Sequence, residues 1–146
     1  MGVKTFNTNL ASEFYVLSAL HRIGASALLT LGNKKAVDIV VEKDDKVITI
    51  DVKGLMGTTN FPIDNCKTSG DSHYIVFVSF LNKINDINTV PEVFIVPSTE
   101  LNMKHKELSG KSIVYHNPGG NRTVVQYGRL KKVSSKYKDK WNVFIS

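Results

Sequence analysis

The chain has 146 residues, a formal net charge of +6 and 42% hydrophobic residues, which is typical of one soluble globular domain. No apolar run reaches the roughly 18–20 residues that cross a bilayer, and no signal-peptide core follows Met1, so we expect a cytoplasmic protein without membrane contact. A single cysteine, four scattered histidines and the lack of a GxSxG motif argue against disulfides, zinc sites and serine hydrolysis.

The first predicted element is a helix over 9–23, where apolar residues recur close to the 3.6-residue period. Asn9 is the expected N-cap, and Gly24 suits the left-handed position after the last turn. The expected buried stripe consists of Leu10, Phe14, Leu17, Leu20 and Ile23. Glu13 borders this stripe, so it is either a favourable charge in the first turn or a residue directed towards a site.

Strands are predicted at 26–31, 36–42, 46–53, 73–80 and 92–97, and a hairpin at 112–128 around the sequence NPGGN. The strand at 73–80 is so apolar that we expect it to be central.

The segment 54–71 is interpreted as a loop, in which Phe61 is either a packing anchor or a wedge against bases. A helix is expected from Ser98, with Ser98 or Thr99 as its cap. One helix followed by strands and later helices predicts a single α+β or α/β domain over 1–146.

The strands at 36–42 and 46–53 form a tight hairpin if Asp44-Asp45 is a two-residue turn. Asp38 then faces Asp51 on a polar face, and the other face is entirely aliphatic. Facing carboxylates repel at the roughly 4.5–5.5 Å that separates opposite Cβ atoms, so we expect a cation between them. Lys53 is one candidate, and a divalent ion such as Mg²⁺ is the stronger one.

In this hypothesis Asp38 and Asp51 hold the metal, and the backbone carbonyl of Val52 is a further ligand. Lys53 orients the attacking water or offsets charge on a phosphate, because its ammonium is a compact charge on a flexible stem. Glu13 binds the metal through water or accepts a proton.

The order helix-Glu, strand-Asp, turn, strand-Asp-x-Lys resembles the PD-(D/E)xK nuclease superfamily, which includes restriction endonucleases and Holliday-junction resolvases. Glu13 matches the helical acid, Asp38 the first acid of the motif, and Asp51 with Lys53 the (D/E)xK pair. The resemblance implies a restriction-endonuclease-like central mixed sheet flanked by helices and Mg²⁺- or Mn²⁺-dependent cleavage of DNA or RNA. In some small members it also implies a homodimer. Val37 stands in place of the motif's proline.

The C-terminal segment 129–146 is basic, with six Lys or Arg against one Asp in residues 129–140. Aromatic residues lie nearby at Tyr127, Tyr137 and Trp141, which favours a nucleic acid, DNA first, as the partner. A charge run is also typical of an ordinary solvated face. Two alternatives therefore remain: a nucleic-acid-binding or assembly module without turnover, and an interaction protein without a nucleic-acid role.

Overall fold

A five-stranded mixed sheet forms the centre of the fold in the computed structural model, which describes residues 5–30, 37–66, 71–101, 113–116 and 122–146. Its strands, in spatial order, are β1 (Ser26–Leu29), β2 (Ile39–Lys43), β3 (Lys46–Leu55), β5 (His73–Ser79) and β6 (Glu92–Pro97). Strands β3 and β5 are parallel, and the other neighbours are antiparallel. The expected mixed sheet is therefore confirmed, and the strand predicted at 73–80 lies in its interior between β3 and β6, although β3 is the middle strand.

A second, three-stranded sheet consists of the predicted hairpin, whose strands pair as expected, and a strand that was not predicted. Its spatial order is β4 (Asn60–Pro62), β8 (Thr123–Gln126) and β7 (Val114–His116), all antiparallel. The loop predicted at 54–71 is therefore wrong in part, because β3 continues to Leu55 and β4 pairs with β8. No helix follows β3 in the described residues 54–66. The turn predicted at 117–121 lies outside the described residues.

Helices cover the sheets. They are α1 (Thr8–Arg22), α2 (Tyr127–Lys132) and α3 (Ser134–Tyr137), with 3₁₀ turns at Ser98–Leu101 and Trp141–Phe144. The helix expected from Ser98 begins as a 3₁₀ turn, and its remainder lies outside the described residues. No helix in the described ranges is long and apolar enough to cross a membrane.

The buried face of α1 differs from the predicted stripe. Its buried residues are Ser12, Glu13, Val16 and Leu20, whereas Leu10 and Phe14 are 45% and 53% exposed. The reason is the close approach of α1 to Gly54 of β3, where the Ser12 side chain fills the space that a Cβ on Gly54 would need. Ser12 can be buried because its hydroxyl donates a hydrogen bond to the Thr8 carbonyl at 2.7 Å.

The ends of α1 follow the sequence more closely. The N-cap is Asn7, whose Oδ1 accepts a hydrogen bond from the Leu10 amide at 3.0 Å, so the predicted cap at Asn9 is wrong by two residues. Gly24 has a φ of +82°, which confirms the left-handed position predicted after the helix.

The five-stranded sheet has a hydrophobic core on each face. Val16 and Leu20 of α1 pack on the aliphatic face, whose members include Ile39, Val41, Ile48, Ile50 and Val52. The second core lies between the two sheets and includes Phe61, Ile75, Phe77 and Val125. The Phe61 ring is 1% exposed and lies 5.0 Å from the Phe77 ring between centroids, so Phe61 is a packing anchor.

Candidate active site

The β2–β3 hairpin has the register predicted from the sequence. Ile39 pairs with Ile50 and Lys43 with Lys46. Asp44 and Asp45 have φ values of 50° and 62°, and two positive φ values in succession are what a two-residue type I′ turn requires. The tight turn is therefore confirmed.

Asp38 lies one residue before β2, in a bend. Its amide donates a hydrogen bond to the Ile50 carbonyl at 2.9 Å, and its Oδ2 accepts one from the Val52 amide at 2.8 Å. The Asp38 carboxylate therefore accepts a hydrogen bond from the backbone of β3, as a backbone carbonyl does within a hairpin. Because Val52 directly follows Asp51, this hydrogen bond holds the first predicted acid beside the second.

Three of the predicted site residues lie within electrostatic reach of the Cys66 thiol. Burial raises the pKa of this thiol to about 11, while Lys53 lowers the pKa and Asp51 and Asp38 raise it. Cys66 packs at the edge of the core between the two sheets. Asp38, Asp51 and Lys53 therefore all lie near enough to this thiol to act on its charge.

The segment that carries Cys66 is fixed there by hydrogen bonds to β8. The Ile63 amide donates to the Thr123 carbonyl at 3.0 Å, and the Thr123 amide donates to Asp64 Oδ1 at 2.7 Å. This part of the predicted loop thus forms one wall of the candidate site. Nothing in the sequence signals this, because the wall depends on pairing between β4 and a strand about sixty residues later.

His73 is a neighbour of the site that sequence reasoning missed. Its side chain is 1% exposed, its Nδ1 lies 2.6 Å from Thr49 Oγ1, and its Nε2 lies 3.3 Å from Asp51 Oδ2. The parallel pairing of β3 with β5 sets Thr49 opposite His73 and so brings the ring to the acid. Since β5 comes after the long connection, no short motif links these residues in the sequence.

Glu13 is 8% exposed and lies within the buried face of α1, which packs against β3. The prediction that Glu13 borders the buried stripe is therefore wrong, because Glu13 lies inside the buried face. Within the described ranges, no three His, Cys, Asp or Glu side chains are grouped as ligands of one metal ion. The hydrogen bond from the Val52 amide thus places Asp38 beside Asp51 in the hairpin, and Glu13 forms no three-acid cluster with them within the described ranges.

Asp38 and Asp51 are the side chains that could hold a metal. Both offer carboxylate oxygens, which suit hard cations such as Mg²⁺ and Mn²⁺. Mg²⁺ in proteins is often bound by one or two carboxylates and completes its shell with water and substrate phosphate. Two acids on neighbouring strands therefore fit this ion without a third protein carboxylate.

The basic segment at 129–140 is partly engaged within the fold. Lys131 and Lys138 lie 2.6 and 3.6 Å from Glu92 Oε2, and Lys136 lies 3.2 Å from Glu100 Oε1. Lys131, Lys136 and Lys138 therefore have acidic partners within the domain. Lys132 and Lys140 are exposed on the same segment, so a nucleic acid that binds here would depend on exposed lysines such as these.

No family model matches the sequence, and no curated protein matches it. Among solved structures, the chain is similar to a bacterial homing endonuclease, I-Ssp6803I, with 19% identity over 68% of each chain and a TM-score of 0.40. A likeness at this level assigns neither a family nor an activity, so the function follows from the chain's own residues.

Proposed function

We propose that the chain is a metal-dependent nuclease that hydrolyses phosphodiester bonds in DNA, with RNA as the alternative substrate. The observation that supports this most is the hydrogen bond from the Val52 amide to Asp38 Oδ2, which places Asp38 beside Asp51 in a strand that also carries Lys53. If the carboxylates of Asp38 and Asp51 lie close together, they repel unless a cation offsets their charge. A hairpin selected for stability alone would avoid this repulsion. Local arrangements that oppose stability are expected at functional sites.

In this proposal Asp38 and Asp51 bind Mg²⁺ or Mn²⁺, and the Val52 carbonyl supplies a further oxygen. When bound, the ion would polarise a phosphoryl oxygen and lower the pKa of a coordinated water. Lys53 orients the attacking water or offsets the negative charge that develops on the phosphate. Glu13 serves as a water-mediated ligand or a proton acceptor.

A nucleic-acid-binding or assembly module without turnover is the second candidate. The lack of a three-ligand group among the residues that the structure describes favours it. Against it, all four residues of the expected constellation are present in the sequence, as Glu13, Asp38, Asp51 and Lys53. Binding that weakens with salt but never leads to cleavage would support this second function.

The proposal is tested with purified protein on a panel of linear and branched DNA and RNA. We expect cleavage of at least one substrate with Mg²⁺ or Mn²⁺ and none with EDTA. Asp51→Asn and Lys53→Ala should abolish cleavage while thermal unfolding shows an intact fold. If the wild type and both variants give the same trace activity on every substrate, the nuclease assignment is wrong.

A further inference from the structure

His73 is a buried histidine whose two ring nitrogens both face polar groups of β3. Its Nδ1 lies 2.6 Å from Thr49 Oγ1, and its Nε2 lies 3.3 Å from Asp51 Oδ2. The histidine side chain is 1% exposed and that of Asp51 is 14% exposed. The ring therefore connects a hydroxyl with the acid that we place at the centre of the site.

The partners of the ring indicate which nitrogen carries the proton. A carboxylate only accepts hydrogen bonds, so Nε2 must carry the hydrogen that faces Asp51. Nδ1 then accepts from the Thr49 hydroxyl, which can donate. This assignment of the hydrogens rests on the two contacts and makes Thr49 a fixed part of the arrangement.

Only one side of the ring has a complete hydrogen bond. Nε2 is buried, and none of the residues that the structure describes is aligned to accept from it, although Asp51 Oδ2 is within 3.3 Å. A buried N–H without an aligned acceptor is costly in an ordinary core. A small rotation of the Asp51 carboxylate would complete the hydrogen bond from Nε2 to Oδ2. The arrangement therefore suits a carboxylate that rotates when its other oxygen, Oδ1, binds a ligand.

We propose that His73 is a positioning residue for Asp51. It holds Oδ2 from the buried side and so directs Oδ1 towards a divalent cation. A partner behind a metal ligand fixes the ligand's orientation and strengthens binding. The inference rests on the proposed function, because it takes Asp51 to be a metal ligand.

Binding of Mn²⁺ alone to the full chain, measured by calorimetry or electron paramagnetic resonance, tests this role. His73→Leu removes the polar contact and should raise the Mn²⁺ Kd by about 10-fold or more. In His73→Gln the amide reaches the place of Nε2 and donates to Asp51, so most of the affinity should return. Thr49→Val should weaken binding in the same direction but less, and Thr49→Ser should restore it.

Thermal unfolding of each variant separates positioning from packing. If folded His73→Leu binds Mn²⁺ as the wild type does, or if Leu and Gln weaken binding equally, the role of His73 is overturned. If His73→Leu does not fold, the Mn²⁺ affinity of Thr49→Val tests the role instead, because this variant leaves the imidazole in place. A wild-type protein whose Mn²⁺ affinity depends on His73 but which cleaves no substrate would support the role and contradict the nuclease assignment.

Discussion

The carboxylate of Asp38 accepts a hydrogen bond from the backbone amide of Val52 at 2.8 Å, across the β2–β3 hairpin. Asp38 therefore contributes to the hairpin and supplies an acid next to Asp51. The two contributions depend on different properties of the side chain, because an acceptor oxygen is enough for the first and the negative charge is needed for the second. Substitutions can separate them.

Asp38→Asn keeps an oxygen that can accept from the Val52 amide, whereas Asp38→Ala removes it. We expect Asp38→Ala to lower the free energy of unfolding by about 1–3 kcal/mol and Asp38→Asn by clearly less. Both should lose metal-dependent cleavage, since both lack the charge. Urea unfolding and cleavage assays on the same preparations check this, and equal stability of the two variants would contradict the structural contribution of Asp38.

The contact between α1 and β3 predicts a clash at Gly54. A Cβ at this position would lie 1.9 Å from Ser12 Oγ and 2.9 Å from Ser12 Cβ. Gly54→Ala should therefore lower the free energy of unfolding by about 1–3 kcal/mol. Adding Ser12→Gly should recover part of this loss beyond the sum of the single effects.

Gly128 supplies the matched control for Gly54. It lies in α2, and a Cβ there meets no atom within 4 Å. Gly128→Ala should leave stability unchanged or raise it by up to about 1 kcal/mol, because alanine favours helix over glycine. If Gly54→Ala and Gly128→Ala unfold at the same denaturant concentration, the prediction of a clash between α1 and a side chain at position 54 is wrong.

Glu92 joins β6 to the basic segment and makes stability depend on pH. Burial alone would raise the pKa of this carboxyl, but hydrogen bonds from Lys131 and Tyr127 offset burial and hold the pKa below its ordinary value of 4.5. A group whose pKa is lower in the folded state stabilises fully above its unfolded pKa and loses this effect as the pH falls through the folded value.

Glu92→Gln should therefore lower the free energy of unfolding by about 1–3 kcal/mol at neutral pH. The difference from the wild type should shrink as the pH falls below 4.5. Urea unfolding at about pH 7 and about pH 3 measures it. A difference that stays constant between the two conditions would contradict the charge-dependent contribution of Glu92.

Lys132 and Lys140 are exposed on the basic segment, whereas Lys131 and Lys138 pair with Glu92. If the exposed pair contacts phosphates, each alanine substitution should reduce the slope of log affinity against log salt by about 0.9. Lys83→Ala, at an exposed lysine in the connection before β6, should leave the slope unchanged. An unchanged slope in the double variant would show that this segment is a solvated face.

The hairpin could be predicted from sequence because its register depends on local signals. The Asp44-Asp45 turn and the strict alternation of aliphatic residues fix which side chains share a face, and a slip of one residue would expose the aliphatic set. The observed pairs, from Ile39 with Ile50 to Lys43 with Lys46, followed from the same two signals, whereas the facing of Asp38 and Asp51 stays a prediction. The hydrogen bond from Val52 did not follow from these signals, because it depends on the bend before β2.

The remainder of the site depends on tertiary contacts. His73 reaches Asp51 through parallel pairing of β5 with β3, and Cys66 reaches the site because β4 pairs with β8. The buried face of α1 was predicted wrongly because apolar residues occur on two overlapping faces of the helix. Gly54 selects the face with the small Ser12, and this choice is not contained in the helix's own sequence.

The nuclease assignment is tested most directly by the single-turnover cleavage rate of Lys53→Met in Mg²⁺, with nucleic-acid affinity measured in parallel. Methionine keeps most of the length of the side chain and removes its charge. If Lys53 acts on the reacting phosphate, the rate should fall by about 100-fold or more while the affinity changes little. Equal cleavage rates for the variant and the wild type would contradict a nuclease site at this hairpin.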